Sequence, residues 1–254
     1  MFIFTQIKAV FIVSALLVFV LLPTCLLAVF FPLKRRLKIV SPVWMFCQRI
    51  VLRYALEARI LVREDHRTQR VKGIPPYGLY VANHQSFVDI PLITVMYPAP
   101  PIMKKEVMYI PLVGWLGWLS GAMPVARGKR TSGKKVFEET RKRMVDGKIA
   151  VQVYPEGTRS IDANPKPVNK IKKTLLVFAY NEKIPVIPTS IYGTRAVLSS
   201  RGRIHTKRPL GIIVHKEVDP NDFSSAEEFY HFCWGKVIEG HSQMKAQLSH
   251  LDKN

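Results

Sequence analysis

The sequence predicts an α/β fold, a mixed sheet flanked by helices, with an N-terminal two-helix membrane anchor. Three observations predict it. Residues 9–31 form a run of 23 residues without a charge. A basic cluster, Lys34, Arg35, Arg36 and Lys38, follows directly. After a linker at 71–76 that holds Gly73 and a Pro-Pro pair, short apolar strand-like runs alternate with helical patterns and turn residues. The expected organisation is therefore an anchor over residues 1–70 and an α/β domain over residues 71–254.

The uncharged run would be about 34 Å long as a helix, enough for a hydrocarbon core of about 30 Å. Pro23 lies inside it and predicts a kink or break. The basic cluster after the run places the body of the protein on the cytoplasmic side by the positive-inside rule. Ser41-Pro42 opens a second expected helix in which Trp44, Phe46, Ile50, Tyr54, Ile60 and Leu61 interleave with Arg49, Arg53, Arg59 and Arg63. That pattern suits a helix lying in the membrane interface, and equally one packed on the domain with its arginines in water. From residue 34 to 72 there are 11 Lys or Arg against Glu57, Glu64 and Asp65. Anionic lipid would attract such a surface. The two helices could make one full span plus a surface helix, or a hairpin embedded in one leaflet; Pro23 and the amphipathic second helix favour the hairpin.

A net charge of +20 and a pI near 10.1 point to anionic partners: nucleic acid, anionic membrane lipids, acidic carrier proteins or phosphorylated substrates. Only Cys25, Cys47 and Cys233 are present, which argues against a disulfide framework and for a reducing compartment. No CxxC pair or Cys/His ligand spacing occurs, so no metal is expected.

Within the domain, Leu79-Tyr80-Val81-Ala82 reads as a strand that ends at Asn83 and His84, with Asp89 five residues beyond His84. On a continuous helix such residues would point about 140° apart. A bend removes that obstacle, and Ser86 with Asp89 three residues on resembles a capping box. A carboxylate on one imidazole nitrogen would fix the tautomer of a general base. Taken alone, the pair reads first as a histidine satisfied by a local cap in an ordinary αβ turn. Ile102-Met103-Lys104-Lys105-Glu106 is a short strand ending on lysines. The stretch 110–121 reads as a buried helix packed through its glycines, its tryptophans in the core or facing lipid, and Met123 to Arg127 is a strand closing on an arginine. Residues 149–153 form another strand, followed by Tyr154-Pro155-Glu156-Gly157-Thr158-Arg159-Ser160, a tight loop in which Gly157 permits close backbone approach and Arg159 offers a planar fork for phosphate. The plain alternative is a surface turn with a Glu156–Arg159 ion pair. A buried strand at 186–191, a basic loop at 199–207, a strand at 212–215 and a final helix from Ser224 complete the chain.

Four of these blocks, in order, resemble the glycerolipid acyltransferase family, and within it the 1-acyl-sn-glycerol-3-phosphate (lysophosphatidic acid) branch. Asn83 to Asp89 resembles its NHxxxxD box. Lys104-Lys105-Glu106 through Gly121 to Arg127 resembles its second block, Tyr154 to Ser160 its PEGTRS block, and Val186-Ile187-Pro188 its last. The match covers roughly residues 75–195. Tyr154 stands where phenylalanine is common, and Thr174 stands where a glycine often follows the lysines.

The resemblance implies acyl transfer from acyl carrier protein or a coenzyme A thioester to the sn-2 hydroxyl of lysophosphatidic acid, giving phosphatidic acid. Neither a cofactor nor an acyl-enzyme is implied. His84 would be the base and Asp89 its orienter. Arg159, Lys105 and Arg127 would hold the substrate phosphate, and Glu156, Gly157 and Thr158 would position substrate. Backbone N–H groups near Val125–Ala126 or Pro188–Thr189 could serve the oxyanion, and Trp115 and Trp118 could line an acyl tunnel. The expected location is the inner membrane, or another cytoplasm-facing one, with catalysis on the cytoplasmic side. Other readings are a glycerol-3-phosphate or other lysophospholipid acyltransferase, and a membrane-tethered nucleic-acid-binding protein. No nucleic acid is expected, because there is no recognition motif and the basic residues gather beside the apolar anchor, where lipid explains them.

Overall fold

The computed structural model describes residues 2–68, 76–110, 113–125, 130–160, 162–199 and 201–251. The first helix is α1 (Phe2–Leu16), a π turn (Leu17–Leu21) and α2 (Leu22–Ala28) in unbroken succession. The break expected at Pro23 does not occur. The widened π turn lies just ahead of the proline, and Thr24 Oγ1 donates to the Val20 carbonyl at 2.7 Å, which supplies a side-chain donor in the turn that the proline ring disturbs. The chain then reverses at 29–32 into α3 (Leu33–Ile50), extended by a second π turn (Val51–Ala55). That turn packs against α1 while α3 packs against α2, so the two rods form an antiparallel hairpin. Of the two, only the first, over Ile3–Ala28, is long and apolar enough to cross a membrane.

The remaining elements are β1 (Arg59–Asp65), β2 (Leu79–Ala82), α4 (Asp89–Thr94), β3 (Ile102–Lys104), α5 (Val113–Leu119), β4 (Met123–Val125), α6 (Arg130–Arg141), β5 (Val151–Val153), α7 (Thr174–Asn181), β6 (Val186–Tyr192), α8 (Thr194–Val197), β7 (Pro209–Val214) and α9 (Ala226–Leu248). Two expectations are corrected here. The second helix starts at Leu33 rather than Ser41, and it ends at Ala55. Residues 59–65, expected to prolong it, are a strand paired parallel to β7. Ile60-Leu61-Val62 is compatible with either structure, and pairing with β7 decides in favour of the strand. The α/β unit therefore begins at Arg59, ahead of the boundary expected near residue 70. At the other end, Ser225 rather than Ser224 caps α9, its Oγ accepting from the Glu228 N–H at 3.2 Å.

The main sheet has the order β1-β7-β6-β2-β5, mixed because β6 and β7 run antiparallel, and β3 with β4 forms a small parallel pair. Every residue of β2 is buried, as expected for a central strand covered on both faces. Leu79 and Val81 join the core made with α7 and α9, including Phe229 and Trp234. Tyr80 and Ala82 face the opposite core, with Leu92 of α4 and Leu52 and Leu56 at the base of the hairpin. β5, β2 and β6 are mutually parallel, so their carboxyl ends share one edge of the sheet. In open α/β sheets that edge is where sites are built.

α5 does not form a buried helix. Leu116 and Leu119 enter the hairpin core with Leu21, Cys25, Ala28 and Val40, whereas Trp115 and Trp118 are 66% and 46% exposed. A helix resting on a surface buries one face only, and the tryptophans, three residues apart, occupy the other. Their rings point out of the fold, not into the interior tunnel expected of them.

Candidate active site

β2 delivers Asn83 to the shared edge, and the Asn83 amide locks it there: Nδ2 donates to the Ile191 carbonyl at 2.9 Å while Oδ1 accepts the Ile191 N–H at 2.8 Å. The strand ends at this point and His84 projects beyond it. The chain bends through Gln85 to Val88, and α4 begins at Asp89, whose Oδ2 lies 2.6 Å from His84 Nδ1. The same oxygen accepts the N–H groups of Gln85 at 2.7 Å and Ser86 at 3.0 Å. The capping arrangement expected from Ser86 is largely formed: Asp89 Oδ2 reaches back to the Ser86 N–H, and Ser86 Oγ accepts the Val88 N–H at 3.3 Å while donating to the Leu198 carbonyl at 3.2 Å. Asp89 is fully buried. His84 is not, its side chain being 18% exposed. With Nδ1 engaged by the carboxylate, Nε2 on the far side of the ring is the atom left for a substrate proton.

The parallel strand β5 brings the PEGTRS block beside this pair. Tyr154 stacks on the His84 ring at 4.3 Å between centroids, which fixes the ring plane. Burial pushes the Tyr154 phenol well above its usual range. Glu156 turns inward, where its Oε1 accepts the His84 N–H at 2.9 Å and the Ser160 N–H bonds the His84 carbonyl at 2.8 Å. Glu156 therefore holds the main chain of His84 rather than pairing with Arg159. Its burial outweighs the His84 N–H and the nearby Lys166, and raises its pKa to about 7. Arg159 is exposed, with its guanidinium 4.4 Å from the Phe87 ring centre. Gly157 adopts φ +68, and a side chain there would meet the stem of Lys172 at 3.0 Å. Thr158 Oγ1 accepts from Lys166 Nζ at 3.0 Å, and the same ammonium reaches the Glu156 carbonyl at 3.0 Å.

Lys105 stands exposed just after β3. Arg127 and Ala126 lie outside the described residues. Of the other expected oxyanion donors, Pro188 has no N–H, and Thr189 is fully buried inside β6, flanked by Ala82 and Val214. That placement offers no free donor. Among the described residues there is no group of three metal-ligating side chains, and the three cysteines are free and buried.

Three participants had no clear signal in the sequence. Thr194, at the start of α8, donates through Oγ1 to Asp89 Oδ1 from 105 residues away. Gln85 ties the bend to the Ala163 carbonyl at 2.5 Å and lies 3.1 Å from His241 Nε2. Lys166 braces the PEGTRS loop, and its own carbonyl is held by Trp234 Nε1 at 2.8 Å. All three depend on contacts that only the folded topology creates.

Comparisons with known proteins identify the family. The family model described as Acyltransferase matches residues 59–192, taking in β1 and the three strands that carry the site. A 1-acyl-sn-glycerol-3-phosphate acyltransferase of Chlamydomonas reinhardtii is 34% identical over 156 residues, 59% of this chain and 46% of that protein. The Escherichia coli 1-acyl-sn-glycerol-3-phosphate acyltransferase is 28% identical over 183 residues, 70% of each. The matches to the Chlamydomonas protein and to its Saccharomyces cerevisiae counterpart span less than half the length of those two relatives. Among solved structures, the 1-acyl-sn-glycerophosphate acyltransferase PlsC from Thermotoga maritima superposes with a TM-score of 0.76 at 26% identity, covering 96% of both chains. With a histidine–aspartate pair at the carboxyl end of β2 and the family model spanning more than half of its length, the chain belongs to the Acyltransferase family.

Proposed function

We propose that this protein transfers a fatty acyl group from a carrier thioester to the sn-2 hydroxyl of a 1-acylglycerol 3-phosphate, giving phosphatidic acid. The observation that carries the proposal is the His84–Asp89 pair, 2.6 Å apart at the strand edge that also presents Arg159. The relatives named above supply the substrate class. Nε2 of neutral His84 takes the hydroxyl proton as the oxygen attacks the thioester carbonyl. The tetrahedral intermediate then collapses, the C–S bond breaks, and the proton on the imidazolium passes to the departing thiolate. Asp89 holds the tautomer and steadies the imidazolium. No acyl-enzyme forms along this route. The exposed guanidinium of Arg159 and the ammonium of Lys105 bind the acceptor phosphate, and either acyl carrier protein or coenzyme A suits the basic surface as donor.

A lipid acceptor calls for a site at a membrane; the hairpin supports a shallow attachment, and the basic cluster Lys34, Arg35, Arg36 and Lys38 supports the cytoplasmic side. Both ends of the first helix touch the α/β unit. At the amino end, Gln6 exchanges hydrogen bonds of 3.1 and 3.3 Å with the backbone of Ile204. At the other, Leu21, Cys25 and Ala28 share a core with α5. The helix thus lies along the domain instead of projecting from it.

The test is an acceptor-and-donor panel in vesicles with the intact protein and with His84→Ala. Phosphatidic acid should form from 1-acylglycerol 3-phosphate with the intact protein, and His84→Ala should abolish turnover while vesicle binding is retained. Undiminished turnover by the variant would remove His84 from the chemistry, and transfer only to glycerol 3-phosphate would replace the acceptor.

A further inference from the structure

We propose that the outer face of α5, with Tyr109 and Ile110, is a second membrane-inserting surface that seats the strand edge against the lipid interface independently of the apolar hairpin helix. The inference rests on the membrane reading above and adds a surface which that reading does not contain.

Trp115 and Trp118 stand side by side on the outer face of α5, 66% and 46% exposed, while Tyr109 and Ile110 are 71% and 43% exposed. Such a cluster is unusual on a surface that meets only water. Indole and phenol groups, apolar with one polar edge, favour the depth at which acyl chains give way to headgroups. Charge follows the same order. Lys105 is exposed immediately before this stretch, next to an exposed Lys104–Glu106 pair at 3.7 Å, and the Arg36 guanidinium lies 5.9 Å from the Trp118 ring. Cations beside an indole face suit anionic headgroups over a shallow aromatic layer.

The occupant follows from continuity. The inner face of α5 rests on the hairpin through Leu116 and Leu119. At the tip of that hairpin Leu27 and Phe30 are 75% and 89% exposed. The aromatic face therefore extends the hairpin's own exposed apolar surface, and a bilayer that takes up one meets the other. The consequence is orientational. A hairpin alone leaves a domain free to roll about the helix axis, whereas a second contact beside β3 fixes the tilt and holds Lys105 at headgroup level, where a lipid phosphate is presented.

The test uses the full-length protein on vesicles of phosphatidylcholine with a minor share of phosphatidylglycerol, the phosphatidylcholine brominated either near the glycerol end or near the methyl end of its chains. Binding is first established by sedimentation. Tryptophan emission should shift to the blue on binding and be quenched more strongly by the shallow bromines. In Trp115→Phe/Trp118→Phe most of that shallow quenching should disappear, although the protein still sediments with vesicles. A nitroxide on Tyr109→Cys should become more accessible to oxygen than to a water-soluble nickel chelate, a reading that does not involve the tryptophans. Equal quenching in the intact and double-substituted proteins, or a nitroxide at position 109 still favouring the chelate, would overturn the proposal while leaving hairpin attachment standing. Failure to bind vesicles at all would overturn both.

Discussion

Asp89 is fully buried, and donors on both of its oxygens hold it in place: His84 Nδ1 and two backbone N–H groups on Oδ2, and the Thr194 hydroxyl on Oδ1. Thr194 has one proton and a second possible acceptor, Gln85 Oε1 at 3.2 Å. The charged oxygen is the stronger acceptor, so the hydroxyl keeps the carboxylate turned toward His84. Thr194→Val preserves shape and removes the donor. Leaving a buried acceptor short of a partner costs about 1–3 kcal/mol, which should appear as a fall in kcat of roughly tenfold with little change in KM. Thr194→Ser should restore most of the rate in steady-state assays, and a Ser variant as slow as the Val variant would assign the loss to packing. Glu156 gives a pH prediction. Burial raises its folded pKa to about 7 from an ordinary value near 4.5, so between those values the folded state binds more protons than the unfolded one. Stability is therefore highest at the acidic end of that window and falls as pH rises toward 7, by an amount on the order of 2–3 kcal/mol. Glu156→Gln keeps an acceptor for the His84 N–H and loses the titration. Melting scans from acid to neutral pH should show a flatter curve for the variant.

Three short elements end where the chemistry begins, and their ends were more legible than their neighbourhoods. The apolar run before His84, the run before the PEGTRS block and the run at 186–191 announce buried parallel strands, because a strand covered on both faces is apolar throughout. Ordering those runs side by side explains why blocks more than 70 residues apart meet. β1 was not legible: an arginine-spaced apolar run fits an interfacial helix as well as an edge strand, and only the partner β7 separates them. The exposure of Trp115 and Trp118 was equally hidden, since an apolar helix shows which residues avoid water but not whether core or lipid receives them. The turn between β6 and α8 shows how a backbone position serves the site. Gly193 has φ +86, and a Cβ there would run into the Pro209 carbonyl oxygen. Gly193→Ala must move that turn, and Thr194 with it. A loss of roughly 2–4 kcal/mol is expected in denaturant unfolding, accompanied by a fall in turnover at temperatures where the variant remains folded. Unchanged stability would mean that the turn relaxes freely.

At the scale of the whole molecule, what matters is where the apolar rod lies. A first helix of the length seen here runs about 40 Å, and it is tied to the α/β unit near both ends: by Gln6 at one, beside a Lys8–Glu57 ion pair to the segment just before β1, and by the core shared with α5 at the other. Its outward residues Phe4, Ile7, Phe11, Phe19 and Leu26, all more than half exposed, recur along its entire length. A helix crossing a bilayer end-on would have to carry the attached domain into the hydrocarbon with it. One lying in the interface plane needs lipid only along that stripe, with Lys34, Arg35, Lys38, Arg49 and Arg53 exposed on the second rod for the headgroups. Phe30→Cys separates these arrangements, because the three native cysteines are buried and give little background. With protein added to preformed vesicles, in-plane insertion predicts that the introduced thiol resists a membrane-impermeant maleimide supplied outside and is equally untouched by the same reagent sealed in the lumen. Dissolving the vesicles in detergent should restore full labelling. Labelling from the lumen would show that the tip crosses the bilayer. The domain contacts at the tip would then have to open on insertion, and the resting structure would be that of the protein before it meets its membrane.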